Sequence, residues 1–137
     1  MEILLLTDSR DTVEVTESIV EGLAEVQWCK YTEQEKWKYF RPDIVIIEFD
    51  ETKILEGIFV PIIKVKGQIG ELVPILVIID GTVQEIFSAL KAGAYDYITN
   101  IKDEQEYKQK IEDLFLWNWY QKYIDLKKSA ADMDKSL

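Results

Sequence analysis

The 137-residue chain carries 26 acidic against 16 basic residues, a formal net charge of −10, and no histidine. That balance opposes nucleic-acid binding, which draws on clustered Lys and Arg to neutralise phosphates, and the missing imidazole removes the commonest general base and zinc ligand. The length suits one domain with one good core. No apolar run approaches the roughly 18 residues of a membrane span, and "MEILLL" is too short for a signal peptide. The single cysteine, Cys29, excludes an internal disulfide framework and fits a reducing compartment. A cytoplasmic protein without membrane or nucleic-acid contacts is expected.

In chain order, "EILLLT" (2–7) is a short apolar run that reads as a buried strand. "DSRDTVEVTESIVEGL" (8–23) follows as a helix, with Asp8 and Ser9 as N-cap candidates, Val13, Val15, Ile19, Val20 and Leu23 at near-helical spacing, and Gly22 close to its end. "EVQWCKY" (25–31) alternates as a second strand, and "TEQEKWKYF" (32–40) is a short helix capped by Thr32 and closed by Pro42. "DIVIIEF" (43–49) is the third strand. Residues 51–72, punctuated by Gly57, Pro61, Gly67 and Gly70, support a helix with Pro61 in its first turn. "PILVII" (74–79) is a fourth strand. "DGTVQEIFSALKAGA" (80–94) is a helix capped by Thr82, with Val83, Ile86, Phe87 and Leu90 on one face and Gly93 at its end. "YDYIT" (95–99) is a fifth, shorter strand, residues 103–128 form one long helix, and residues 129–137 read as a polar tail or the start of a linker.

Five continuously apolar strands alternating with helices predict an α/β fold, a doubly wound parallel sheet covered on both faces. In such sheets a site lies outside the carboxyl ends of the strands, where strand order reverses. The polar groups at those ends are Thr7-Asp8, Glu48-Phe49-Asp50, Asp80 after Ile79, and Thr99-Asn100.

"ILLLTDSRD", "RPDIVII", "VPILVII" and above all "ALKAGAYDYIT" resemble the receiver domain of two-component response regulators over residues 2 to about 125. The resemblance implies the flavodoxin-like five-stranded sheet in order 2-1-3-4-5. It also implies a phosphoacceptor pocket, which this chain departs from residue by residue. Thr7 and Asp8 stand where the family has a pair of acids that help hold Mg²⁺. Counting six residues on from Pro42 places Glu48 at the phosphoacceptor aspartate. Ile79 replaces the switch hydroxyl, Asn100 the lysine, and Ile101 the proline that commonly follows it. Tyr97 matches the switch aromatic. Phosphoryl transfer is positioning plus charge stabilisation around the phosphoryl oxygens, so the departures point to a degenerate receiver, a pseudo-receiver, with no catalytic residue and no cofactor.

Two readings of Glu48 follow. It is either a relic held by Lys53, Lys102 or a helix-terminal amide, or a permanent mimic of the phosphorylated acid. Asp8 is a helix cap or a weak metal ligand with Glu48, and no specific Mg²⁺ affinity is expected from that pair. Asp50 lies two residues beyond the counted acceptor. Cys29 is a core residue, since no histidine is present to activate it.

In the last helix, Tyr107, Ile111, Leu114, Phe115 and Asn118 follow one stripe. Leu116, Trp117, Trp119, Tyr120, Tyr123, Ile124 and Leu126 exceed what one stripe can hold. Trp117, Trp119, Tyr120 and Tyr123 therefore mark an interface, or else aromatics buried locally under the rim of the sheet. Receivers commonly pair through this region, which implies a homodimer through the last helix together with a protein partner or an attached output domain. The leading expectation is a phosphorylation-independent interaction and dimerisation module. The alternatives are a phosphorylation-dependent regulator with an altered pocket and a flavodoxin-like small-molecule binder. Against the last, "TDSRDT" carries acids that would repel a phosphate.

Overall fold

The computed structural model describes residues 1–37, 39–57 and 59–135. The elements are β1 (Glu2–Leu6), α1 (Arg10–Ile19), β2 (Glu25–Cys29), α2 (Gln34–Trp37), β3 (Ile44–Phe49), α3 (Glu51–Glu56), α4 (Phe59–Gln68), β4 (Ile75–Ile79), α5 (Val83–Ala92), β5 (Asp96–Ile98) and α6 (Glu104–Lys135). The five strands are all parallel, in the order β2-β1-β3-β4-β5, as the sequence predicts. Among the described residues no helix is long and apolar enough to cross a membrane.

Strand alternation sends successive side chains to opposite faces, and both faces are packed. Ile3, Leu5, Ile44, Ile46, Leu76 and Ile78 meet Val13 and Val20 of the α1 segment and Tyr107, Ile111, Leu114 and Phe115 of α6. Leu4, Leu6, Val45, Ile47, Phe49, Val77 and Ile79 meet Trp37, Ile62, Val65 and Ala89 on the other side. Double coverage explains why β3 and β4 are apolar at nearly every position rather than alternating. Cys29 is buried within the second of these clusters and unpaired.

Several boundaries differ from the sequence expectation. The second strand ends at Cys29 and the helix expected over 32–40 is one short turn, α2. The uncertain stretch 51–72 holds two helices broken at Gly57, whose φ of 112° suits only glycine; Pro61 sits in the first turn of α4. Helix α1 is capped by Ser9, not Asp8. Thr82 caps α5 in a reciprocal capping box with Glu85. The largest correction is at the end. The segment 129–135, expected as a tail, continues α6 as helix, exposed over 129–132, because it carries no Gly or Pro that would stop it.

Gly93 ends α5 at φ 125°, and a β-carbon there would run into the side chain of Lys66. Gly93→Ala is expected to lower stability by about 1–3 kcal/mol, read as a shift of the urea midpoint.

Candidate functional site at the strand ends

The carboxyl ends of β1 and β3 lie side by side, since Leu6 pairs with Ile47. One residue further on, Thr7 donates its hydroxyl to Glu48 Oε1 at 2.6 Å. Thr12, on the buried face of α1, donates to the same oxygen at 2.8 Å. Thr7 Oγ1 in turn accepts the Ser9 amide at 2.9 Å, and the Thr7 carbonyl accepts Trp28 Nε1 at 2.8 Å. The backbone carbonyl of Glu48 accepts the hydroxyl of Tyr31. Glu48 is half-buried, and by alternation its side chain points to the α1 and α6 face of the sheet.

The network runs deeper. Thr16 donates to the Thr12 carbonyl at 2.6 Å, which uses its one hydrogen, so the Tyr107 hydroxyl donates to Thr16 across 2.8 Å. Tyr107 is fully buried. Its pKa is raised well above the ordinary phenol, chiefly by burial, which outweighs the opposing Thr16 contact; the charge of Glu48 adds a lesser rise. A chain of hydroxyls therefore joins α6 to the tip of β3 through α1.

The remaining expected site residues divide. Asp8 Oδ1 accepts the Tyr31 amide at 3.3 Å and Oδ2 lies 3.8 Å from Lys53 Nζ. The Lys53 ammonium also sits 4.6 Å over the Tyr31 ring. Asp50 is turned into the N-cap of α3, accepting the Lys53 amide at 2.8 Å. Ile79 is completely buried among the apolar residues opposite the Glu48 face. Asn100 is exposed, its Oδ1 accepting the Lys102 amide at 3.0 Å within its own turn. Tyr97 packs half-buried against the core, with Lys110 Nζ 5.5 Å over its ring. The structure thus gathers Thr7, Glu48 and, through Tyr31, Asp8, and disperses Asp50, Ile79 and Asn100.

Sequence reasoning named Lys53, Lys102 or a helix-terminal amide as the holder of Glu48, but threonine hydroxyls hold it. Thr12, Thr16 and Tyr31 were not singled out. The only signal of the two threonines was polar residues spaced four apart on an otherwise apolar helix face.

Mg²⁺ takes near-octahedral oxygen ligands, usually with one or two carboxylates. Here Thr7 is not an acid, Glu48 Oε1 already accepts two hydroxyls, and Asp8 is occupied by an amide and an ammonium. Among the described residues no three His, Cys, Asp or Glu side chains converge on a cation. The donor set does not fit Mg²⁺. What it offers is an anionic anchor between β1, β3 and α1.

The aromatics of α6 lie elsewhere. Trp117 stacks on Tyr95 of the β5 approach at 5.5 Å and contacts Tyr120 at 5.9 Å. Trp119 stacks on Tyr123 at 5.6 Å, and Trp119, Tyr120 and Tyr123 remain exposed.

No protein-family model and no curated protein matches this sequence. Solved structures do match in fold. Crystalline NtrX from Brucella abortus in complex with ADP is 20% identical with a TM-score of 0.73, over 98% of this chain but 29% of its own. The signal receiver domain of a histidine kinase from Syntrophus aciditrophicus is 22% identical with a TM-score of 0.68, over 83% of this chain and 89% of its own. The receiver domain of a sensor histidine kinase from Pseudomonas aeruginosa PAO1, with magnesium coordinated in its active site cleft, is 23% identical with a TM-score of 0.64, over 85% of this chain and 96% of its own. The molecule is a flavodoxin-like, doubly wound α/β domain with its polar groups at the switch point. More particularly, it has the fold of response-regulator receiver domains.

Thr12→Val keeps the shape of the side chain and removes one hydrogen bond to a carboxylate; a loss of about 1–3 kcal/mol in denaturant unfolding is expected. Raised in the folded state, the Tyr107 phenol stabilises the fold below the ordinary tyrosine pKa of about 10, and that stability is lost as pH climbs above it, by up to about 1.4 kcal/mol per pH unit. Unfolding free energies from pH 9 to 11.5 should fall less steeply in Tyr107→Phe than in the wild type.

Proposed function

We propose that this chain is a receiver-fold signalling module that works through protein contacts and not through aspartyl phosphorylation. The observation that carries the reading is Glu48, whose carboxylate accepts the Thr7 and Thr12 hydroxyls at the position where the family resemblance puts the acceptor. A carboxylate so occupied is an anchor rather than a nucleophile or a phosphate mimic. The groups that would neutralise a phosphoryl are lacking too. Ile79 offers no hydroxyl, Asn100 no ammonium, and among the described residues no group of three acids, His or Cys stands ready for Mg²⁺. The role is non-enzymatic, and the buried free thiol of Cys29 suits the cytoplasm.

Signalling then rests on the aromatic surface. Trp119, Tyr120 and Tyr123, with Trp117 beside them, supply the residue types enriched at interface hot spots, and the partner is a second copy docked through α6. An attached output domain is the further partner. NtrX, of which this chain spans 29%, is the longer chain that motivates that reading.

The test is Mg²⁺ with beryllofluoride, followed by intrinsic fluorescence of the four tryptophans. No change is expected up to millimolar ligand. A saturable Mg²⁺-dependent change would make the chain a phosphorylation-responsive regulator instead.

A further inference from the structure

Helix α6 outruns the body it covers. Among the described residues its buried positions end at Asn118, Lys122 Nζ lies 3.3 Å from Asp43 Oδ1 just before β3, and every residue from 125 to 132 is exposed. Along the exposed part the sequence sets Leu116, Trp119, Tyr123, Leu126 and Ala130 at alternating intervals of three and four, and Met133 and Leu137 keep the same rhythm, the last lying outside the described residues. Alternating three and four is a period of 3.5, the spacing that keeps one narrow seam facing a neighbouring helix in a left-handed supercoil. A helix that only covers a core needs a broader stripe.

The seam is not turned toward the domain. At 3.6 residues per turn, Leu114, Asn118 and Gln121 define the packed side, and Leu116, Trp119, Tyr123 and Leu126 fall near the opposite side. Exposure agrees: these four are 66%, 57%, 43% and 71% accessible. A second helix can therefore lie along the seam with each domain on the outer side of its own helix. From side chains of about 150–250 Å², two seams and their flanks would bury on the order of 1,000 Å², the lower end of a specific interface.

Direction follows from size and charge. In a parallel pair Trp119 would meet Trp119, Ala130 would meet Ala130, and Lys122 would face Lys127 across the seam. Turning one helix round places Trp119 against Ala130 and Tyr123 against Leu126, so bulky residues meet smaller ones and the lysines separate. We propose that residues 119–130 of α6 form an antiparallel two-stranded coiled coil with the same segment of a second copy. The proposal rests on the dimer reading above and specifies its surface.

The test is the mass of the full chain by sedimentation across 1–100 µM. The variants are Leu126→Glu with Ala130→Glu on the seam and Phe87→Glu on α5; both leucine and phenylalanine positions are exposed, so each variant should fold. The wild type is expected to be a dimer, the seam variant to weaken it about tenfold or more, and Phe87→Glu to leave it unchanged. A dimer lost in Phe87→Glu but kept in the seam variant would overturn the coiled coil and leave the dimer reading standing. A wild type monomeric at 100 µM would overturn both. Under mild oxidation Ala130→Cys should give a covalent dimer only when Trp119→Cys is also present; cross-linking through position 130 alone would overturn the antiparallel arrangement.

Discussion

A parallel sheet packed on both faces leaves charged groups one place on its strands, the ends. Ile44, Val45, Ile46 and Ile47 are wholly buried, and Glu48 is the first position in β3 that reaches solvent. That constraint sets where chemistry can sit. It also sets the energetic terms for whatever sits there, because a half-buried carboxylate needs donors to replace the water it has lost. Hydroxyls from the neighbouring strand and helix provide them. The result ties three elements together at one oxygen.

The same constraint made most of the fold legible in the sequence. Runs such as "IVII" and "ILVII" are hard to place except in a doubly covered sheet, and glycine and threonine marked the ends of α5. Legibility failed where packing did not control the pattern. The stretch 51–72 has apolar residues throughout, and only the left-handed turn at Gly57 divides it into α3 and α4. The end of α6 failed for the opposite reason. From residue 129 the sequence is mostly small and polar, which resembles a tail, while helix propensity and the absence of Gly or Pro carry the backbone on to Lys135.

At the site, the sequence names candidate positions but not their surroundings. Counting from Pro42 singled out Glu48, and the family resemblance singled out Ile79 and Asn100. The partners of Glu48 came from α1, a helix whose threonines carry no spacing signature that distinguishes a buried hydroxyl from a solvated one. Lysines were the obvious expectation for a carboxylate, yet Lys53 lies with Asp8 and Tyr31 instead. Long-range polar pairing of this kind, here between residues 36 and 41 positions apart, depends on three-dimensional placement that no local pattern records.

The 32 residues of α6 make a rod about 48 Å long, and only its first half is gripped by the sheet. Roughly 20 Å of it lies beyond Lys122, whose ammonium reaches Asp43. Tyr107, in the gripped half, is where the hydroxyl chain from Glu48 ends. The strand tip and the root of the rod are thus joined through side chains inside the core.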